Sequence, residues 1–209
     1  MEVLSEAVAM IALVLLYVGA VLVINGVWIL GASSAQPVPA RAEGATVESA
    51  RRGFLILGNR EVAVMNIFTG ILGFLVAMFS VIRAKPGSAG IPDIEFGAFV
   101  LLFAFTYLYV GVNQFLGADG RALGWYCLFV AVTALPTAAI TLASSQGHPW
   151  LVWLGIDWAA WAVLWFLYFL LLAVQRPIGS LTGIVTILQG VLTAWIPAYL
   201  LLAGYLPLT

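Results

Sequence analysis

Six stretches of this chain stay apolar for about the 20 residues that a bilayer crossing needs. They lie near residues 7–31, 62–82, 96–117, 123–143, 150–174 and 182–205. Turn-forming and charged clusters divide them: a Pro/Ala/Ser run from Ser33, then "RAKPGSAGIPDIE", "GADGR", "SSQGHP" and "QRPIGS". The short alternating segments of a closed β-barrel are absent. The pattern predicts an all-α integral membrane protein, a single domain over 1–209 with six transmembrane helices and one long loop over 32–61. Glu2 and Glu6 precede an apolar run too long for a cleaved leader, so the first stretch is expected to stay as a helix.

Spacing inside the stretches marks out faces. In the first, Ile11, Leu15, Val18, Leu22 and Asn25 recur at intervals of four, three, four and three, which puts them on one side of a helix. In the third, Phe105, Tyr109 and Asn113 follow at four and four. In the fifth, Leu154, Trp158, Trp161 and Trp165 follow at four, three and four. Ordinary packing makes many such stripes, but three indoles on one face ask for more, since leucine packs as well without a buried N–H to satisfy. Trp150 and Trp153 read as interfacial belt residues. The periodic residues of the second and sixth stretches are small, with Gly70, Gly73 and Ala77 after Asn66, and Gly183, Gly190 and Ala194. Such rows are helix-packing faces. A weak repeat links the odd stretches: "LLYVGAVLVIN", "FTYLYVGVN" and "LWFLYFLLLAVQ" each place an aromatic–aliphatic core before an amide side chain. That repeat suits three helical hairpins about one axis.

Charge supplies the orientation. The loops after the first, third and fifth stretches hold Arg41, Arg51, Arg52, Arg60, Arg121 and Arg176, against Arg83 and Lys85 on the other side. Basic residues collect on the cytoplasmic side, so both termini are expected outside. The segment "RRGFLILGNRE" of the long inner loop reads either as a surface-lying stretch or as a solvated tether.

Composition then removes function classes. Charged residues are 8% of the chain and the net charge is −1, which excludes a basic nucleic-acid surface. Cys127 is the only cysteine and His148 the only histidine, and neither G-x-S-x-G nor H-E-x-x-H occurs. No catalytic machinery, metal or cofactor is therefore expected. Asp157 is the one ionisable carboxylate or amine well inside an apolar stretch. Such groups are kept in membranes mainly for function. It reads as a vestibule or proton-coupling acid, or as a structural acid bonded to a neighbouring helix. The remaining polar groups are neutral: Asn25, Asn66, Asn113 and Gln189, with Thr106, Thr186 and Thr193 near them. A narrow slot with aromatic walls would pass a small, flat, neutral solute, whose N–H groups can face a ring. Indole and phenol donors could bond its carbonyl. Hydrated ions would be refused, because nothing charged replaces their water.

The blocks "LVLLYVGAVLVINGV", "AVMNIFTG", "LLFAFTYLYVGVN", "GWYCLFVAV", "WAVLWFLYF" and "QGVLTAWIPAYLL" resemble, in order and across all six stretches, the AmiS/UreI family of bacterial urea and short-chain amide channels. The resemblance implies three hairpins around a pore in each protomer, both termini outside the bacterial inner membrane, and a homohexamer around a central lipid plug. It implies passive conduction of urea or short-chain aliphatic amides toward a cytoplasmic urease or amidase. Carried onto this chain, one constriction would involve Val18, Leu22, Leu164 and Trp165. The other would involve Ile11, Leu15, Phe105, Trp158 and Trp161, with Tyr109 on the wall. Leu164 and Trp165 are adjacent, so one of them is expected to reach the lumen only at its edge.

Three departures from the acid-opened members shape the expectation. The outer segments hold only His148, Asp93 and Glu95, plus Glu2 and Glu6 at the terminus, where those members are rich in groups that charge as pH falls through about 6.5. Gln189 stands where the acid-opened urea channel has a glutamate, and Leu154 where it has a tryptophan. A channel without strong acid gating is expected, with acetamide and propionamide at least as plausible as urea. A proton-coupled carrier using Asp157 is the alternative.

Overall fold

The computed structural model describes residues 2–34 and 57–205, and every regular element in them is helical. The elements are α1 (Glu2–Ser34), α2 (Asn59–Arg83), a short 3₁₀ turn (Gly87–Gly90), α3 (Ile91–Leu116), α4 (Arg121–Ser144), α5 (Pro149–Leu172), α6 (Gly179–Gln189), a π-helical segment (Gly190–Trp195) and α7 (Ile196–Leu202). The last three run on as one span. Six spans among the described residues are long and apolar enough to cross a membrane, the number expected, and the third starts at Gly87, about nine residues before the expected stretch. Local chemistry sets those ends. Pro149 occupies the first turn of α5, where its missing N–H costs nothing. Gly117 ends α3 at φ 64°, a left-handed conformation that suits glycine. Most of the inner loop read from "RRGFLILGNRE" lies outside the described residues.

The spans pack as antiparallel pairs: α2 on α3, α4 on α5, and α1 on the span formed by α6, the π segment and α7. Two pairs are neighbours in sequence, whereas the third joins the two ends of the chain. Small residues make each pairing close. A methyl group built on Gly73 would lie 3.2 Å from the Ala104 side chain, and one on Gly124 only 2.5 Å from the Ala173 backbone nitrogen. On the third pair, a methyl on Gly19 would lie 2.6 Å from the Trp195 backbone nitrogen. Helices in lipid gain little from apolar burial against one another, so such close approach and interhelical hydrogen bonds hold them. The small-residue rows of the second and sixth stretches are these packing faces, with Gly70 against Leu108 and Gly183 against Leu30.

Candidate functional site

A cavity of about 450 Å³ opens among the odd-numbered helices, at the end where α1, α3 and α5 finish. α1 contributes Leu22 and Asn25, α3 contributes Phe103, Thr106, Tyr107 and Asn113, and α5 contributes Trp161, Leu164, Trp165 and Tyr168. α4 adds Leu123 and Cys127. The three amides that close the weak repeat, Asn25, Asn113 and Gln175, all border this space. Among the described residues, Asp119 is the only charged one on its wall, and it lies far out at 72% side-chain exposure, 3.4 Å from Arg121.

The deep end of the cavity is an aromatic cluster. Phe103 presents its ring edge-on to Trp158, Trp161 and Trp165, with centroids 5.8, 5.0 and 4.8 Å away. Trp158 also packs edge-on against Phe99 at 5.3 Å and against Trp161 at 5.3 Å. Edge-to-face geometry sets the positive rim of one ring against the negative face of the next, so five rings fix each other's orientation. This cluster explains the three indoles on one face of α5.

Polar contacts hold the helices around it. Asn25 and Asn66 exchange amide hydrogen bonds of 3.0 and 2.7 Å between α1 and α2, and Asn66 also donates to Val62 O. Trp161 Nε1 donates to Thr193 Oγ1 at 2.9 Å, and Gln189 Nε2 donates to Ala160 O at 2.8 Å. The Tyr168 and Thr186 hydroxyls lie 3.1 Å apart. All three of these last contacts tie α5 to the sixth span. The indole N–H groups of Trp158 and Trp165 meet no acceptor among the described residues. Replacing Asn66 with Leu is expected to cost about 1 kcal/mol, read as a lower midpoint of thermal unfolding in detergent.

The sequence-derived residues distribute unevenly. Leu22, Asn25, Asn113, Trp161, Leu164 and Trp165 meet on the cavity wall. Leu15, Val18 and Trp158 are buried beyond the cavity in the apolar core, and Ile11 packs against that core. Gln189 is half-buried behind α5, and its Oε1 has no partner among the described residues. Asp157 is buried, and its Oδ2 has no partner among the described residues.

Phe105 and Tyr109 do not border this cavity. Phe105 is 44% exposed on the outer side of α3, tilted against Phe74. Tyr109 is half-buried toward α4, beside Tyr126. The inward residues are Phe103 and Tyr107. Intervals of four and four rotate about 40° per step on a helix of 3.6 residues per turn, so the stripe slides off its face. The inward set Phe99, Phe103, Thr106, Val110 and Asn113 alternates four, three, four and three. That is the same alternation as α1, and it was the signal available to find Phe103.

Comparison with known proteins places this arrangement. The sequence pattern of the AmiS/UreI family transporters matches residues 53–205. An acid-activated urea channel of Helicobacter pylori is 35% identical, over 92% of this chain and 97% of its own length. A protein carrying the name transporter AmiS2 in Rhodococcus erythropolis is 34% identical, over 91% of this chain and 78% of its own. The crystal structure of the urea channel from H. pylori superposes with a TM-score of 0.73 at 33% identity, covering 94% of this chain and 99% of that one. The closed state of the H. pylori urea channel superposes with a TM-score of 0.74.

Proposed function

Because this chain belongs to the AmiS/UreI family of transporters, an integral membrane family of channels and carriers rather than enzymes, we propose that it is a passive channel for urea and short-chain aliphatic amides. The observation that carries this reading is the Phe103, Trp158, Trp161 and Trp165 cluster at the deep end of a nearly uncharged cavity. Flat amides slide between ring faces, and the free indole N–H groups of Trp158 and Trp165 offer bonds to a passing carbonyl. Amide side chains at Asn25 and Asn113 exchange hydrogen bonds with the same solutes at the wider end. A charged solute finds nothing there to replace its hydration. Contacts this weak and distributed favour release as much as entry.

The protomer in this reading has three helix pairs around its own pore, both termini outside the bacterial inner membrane, and the cavity facing the cytoplasm. Six protomers enclose a lipid plug, and solute passes inward to a urease or amidase. Gating by acid is absent: Gln189 does not titrate, and His148 is the only histidine. Stopped-flow light scattering on proteoliposomes tests this. Urea and acetamide are expected to equilibrate faster than in empty liposomes, at similar rates at pH 7.5 and pH 5, with glycerol unaffected. Opening at pH 5 alone would refute the ungated part, and no acceleration with intact oligomers would refute the channel.

Asp157 favours a second reading, since a buried carboxyl oxygen without a partner among the described residues is a site for a coupled proton. Asp157→Asn separates the two. A passive channel keeps its amide flux without a proton gradient, to within about twofold, whereas a coupled carrier loses accumulation entirely.

A further inference from the structure

Of the three cluster indoles, only Trp161 has its N–H taken up by a described protein group, the hydroxyl of Thr193 at 2.9 Å. A threonine hydroxyl carries one proton and two acceptor lone pairs. Thr193 gives that proton to Gln189 O at 2.7 Å, so a lone pair must face the indole. Thr193 sits within the π-helical segment Gly190–Trp195, a widened turn of a kind that is frequent at functional sites. Gln189, one turn before it, braces Ala160 O beside Trp161. The segment is also held from behind, because Gly19 of α1 lies so close that a methyl there would reach 2.6 Å from the Trp195 backbone. Two grips on α5 and one buttress on α1 thus converge on a single side chain.

On the reading of amide passage above, we infer that Thr193 is the positioning residue of the aromatic sieve. It fixes the Trp161 ring at 87° to Phe103 and withdraws the Trp161 N–H from the solute. Passing amides then meet Trp161 as a ring surface, and only Trp158 and Trp165 act as indole donors. An accepting hydroxyl on a rigid turn would let the sieve discriminate by shape at Trp161 and by hydrogen bonding at its neighbours. Loss of the hydroxyl frees both the ring and its N–H, so the slot becomes wider and more polar.

Thr193→Val keeps the side-chain shape and removes the acceptor. The expected result is a roughly three- to tenfold fall in the urea-to-glycerol and acetamide-to-glycerol flux ratios, with Thr193→Ser restoring them. Thr133→Val, which breaks only a bond of α4 to its own backbone at Phe129 O, leaves the ratios unchanged. A Thr193→Val protein that melts earlier but keeps wild-type ratios would overturn the inference and leave Thr193 a purely structural residue. Ultraviolet resonance Raman spectra supply a readout independent of transport. Thr193→Val should shift the hydrogen-bond marker of one indole, and should change nothing further in a Trp161→Phe background. If the wild-type protein moves no amide, the function proposed above fails, while these spectra still decide the Thr193 contact. Unchanged indole bands would overturn it.

Discussion

Phe103→Ala is expected to remove most of the discrimination between flat amides and glycerol, while Phe105→Ala leaves it intact. The Phe103 ring makes three edge-on contacts with indoles, and such pairs contribute about 0.5–1.5 kcal/mol each beyond area burial. Losing one contact's worth at the barrier is about a two- to tenfold change in relative rate, and losing all three reaches about tenfold even at the lower value. Deleting the ring also leaves a void between Trp161 and Trp165, and Phe→Ala changes in packed interiors cost about 3–5 kcal/mol. Permeability to glycerol should therefore rise at least tenfold relative to urea, and the unfolding midpoint should fall. Phe105 faces outward and touches Phe74, so its truncation removes apolar surface that lipid replaces. Proteoliposome flux of urea, acetamide and glycerol for both variants checks the pair. Selectivity lost with Phe105→Ala and kept with Phe103→Ala would place the slot on the other face of α3.

Gly19→Val is expected to be the most damaging of the packing substitutions. Even one methyl at this position would lie 2.6 Å from both the backbone nitrogen and the Cβ of Trp195. These atoms belong to the π segment, which cannot retreat without breaking its own hydrogen bonds and moving Thr193 away from Trp161. Overpacking by a methylene or two typically costs about 1–3 kcal/mol, and a branched side chain against backbone should exceed that range. The expected outcome is little folded protein, seen as a loss of the monodisperse peak on size exclusion in detergent. Gly87→Ala is the contrast. Its φ of 75° imposes backbone strain, but nothing lies within 4 Å of the added carbon, so the cost stays near 1–2 kcal/mol. Similar damage from both would mean that helix approach at Gly19 is not what holds α1 to the sixth span.

These predictions rest on different layers of information. The number of spans and the helical class were legible in the chain alone, because a bilayer demands about 20 apolar residues per crossing and forbids unpaired backbone. Local chemistry at Pro149 and Gly117 made two helix ends legible as well. The stripe on α5 and the four–three stripe on α1 were readable because one helix face is a local property of spacing. The glycine rows could be recognised as packing faces, yet nothing local said which helix each would meet. The pairing of α1 with the last span joins residues at opposite ends of the chain, and it follows from mutual fit at Gly19, Gly26 and Gly183.

The same limit explains Phe103. Both Phe103 and Phe105 stand in the stretch "LLFAFTYLYVGVN", two residues and about 200° apart on the helix. An apolar helix surrounded by lipid and protein has no polar side to betray which face turns inward. Only the packing of α3 against α2 on one flank and the α5 indoles on the other decides it. Thr193 shows a second form of this dependence. Its residue type announces a hydroxyl, but its role arises from a widened turn, a buttress at Gly19 and an indole contributed by α5. Spans, caps and single faces are set by short-range chemistry and were present in the sequence. The choice among apolar faces, and the partner of each buried donor, came from tertiary packing, because those interactions exist only between helices distant along the chain.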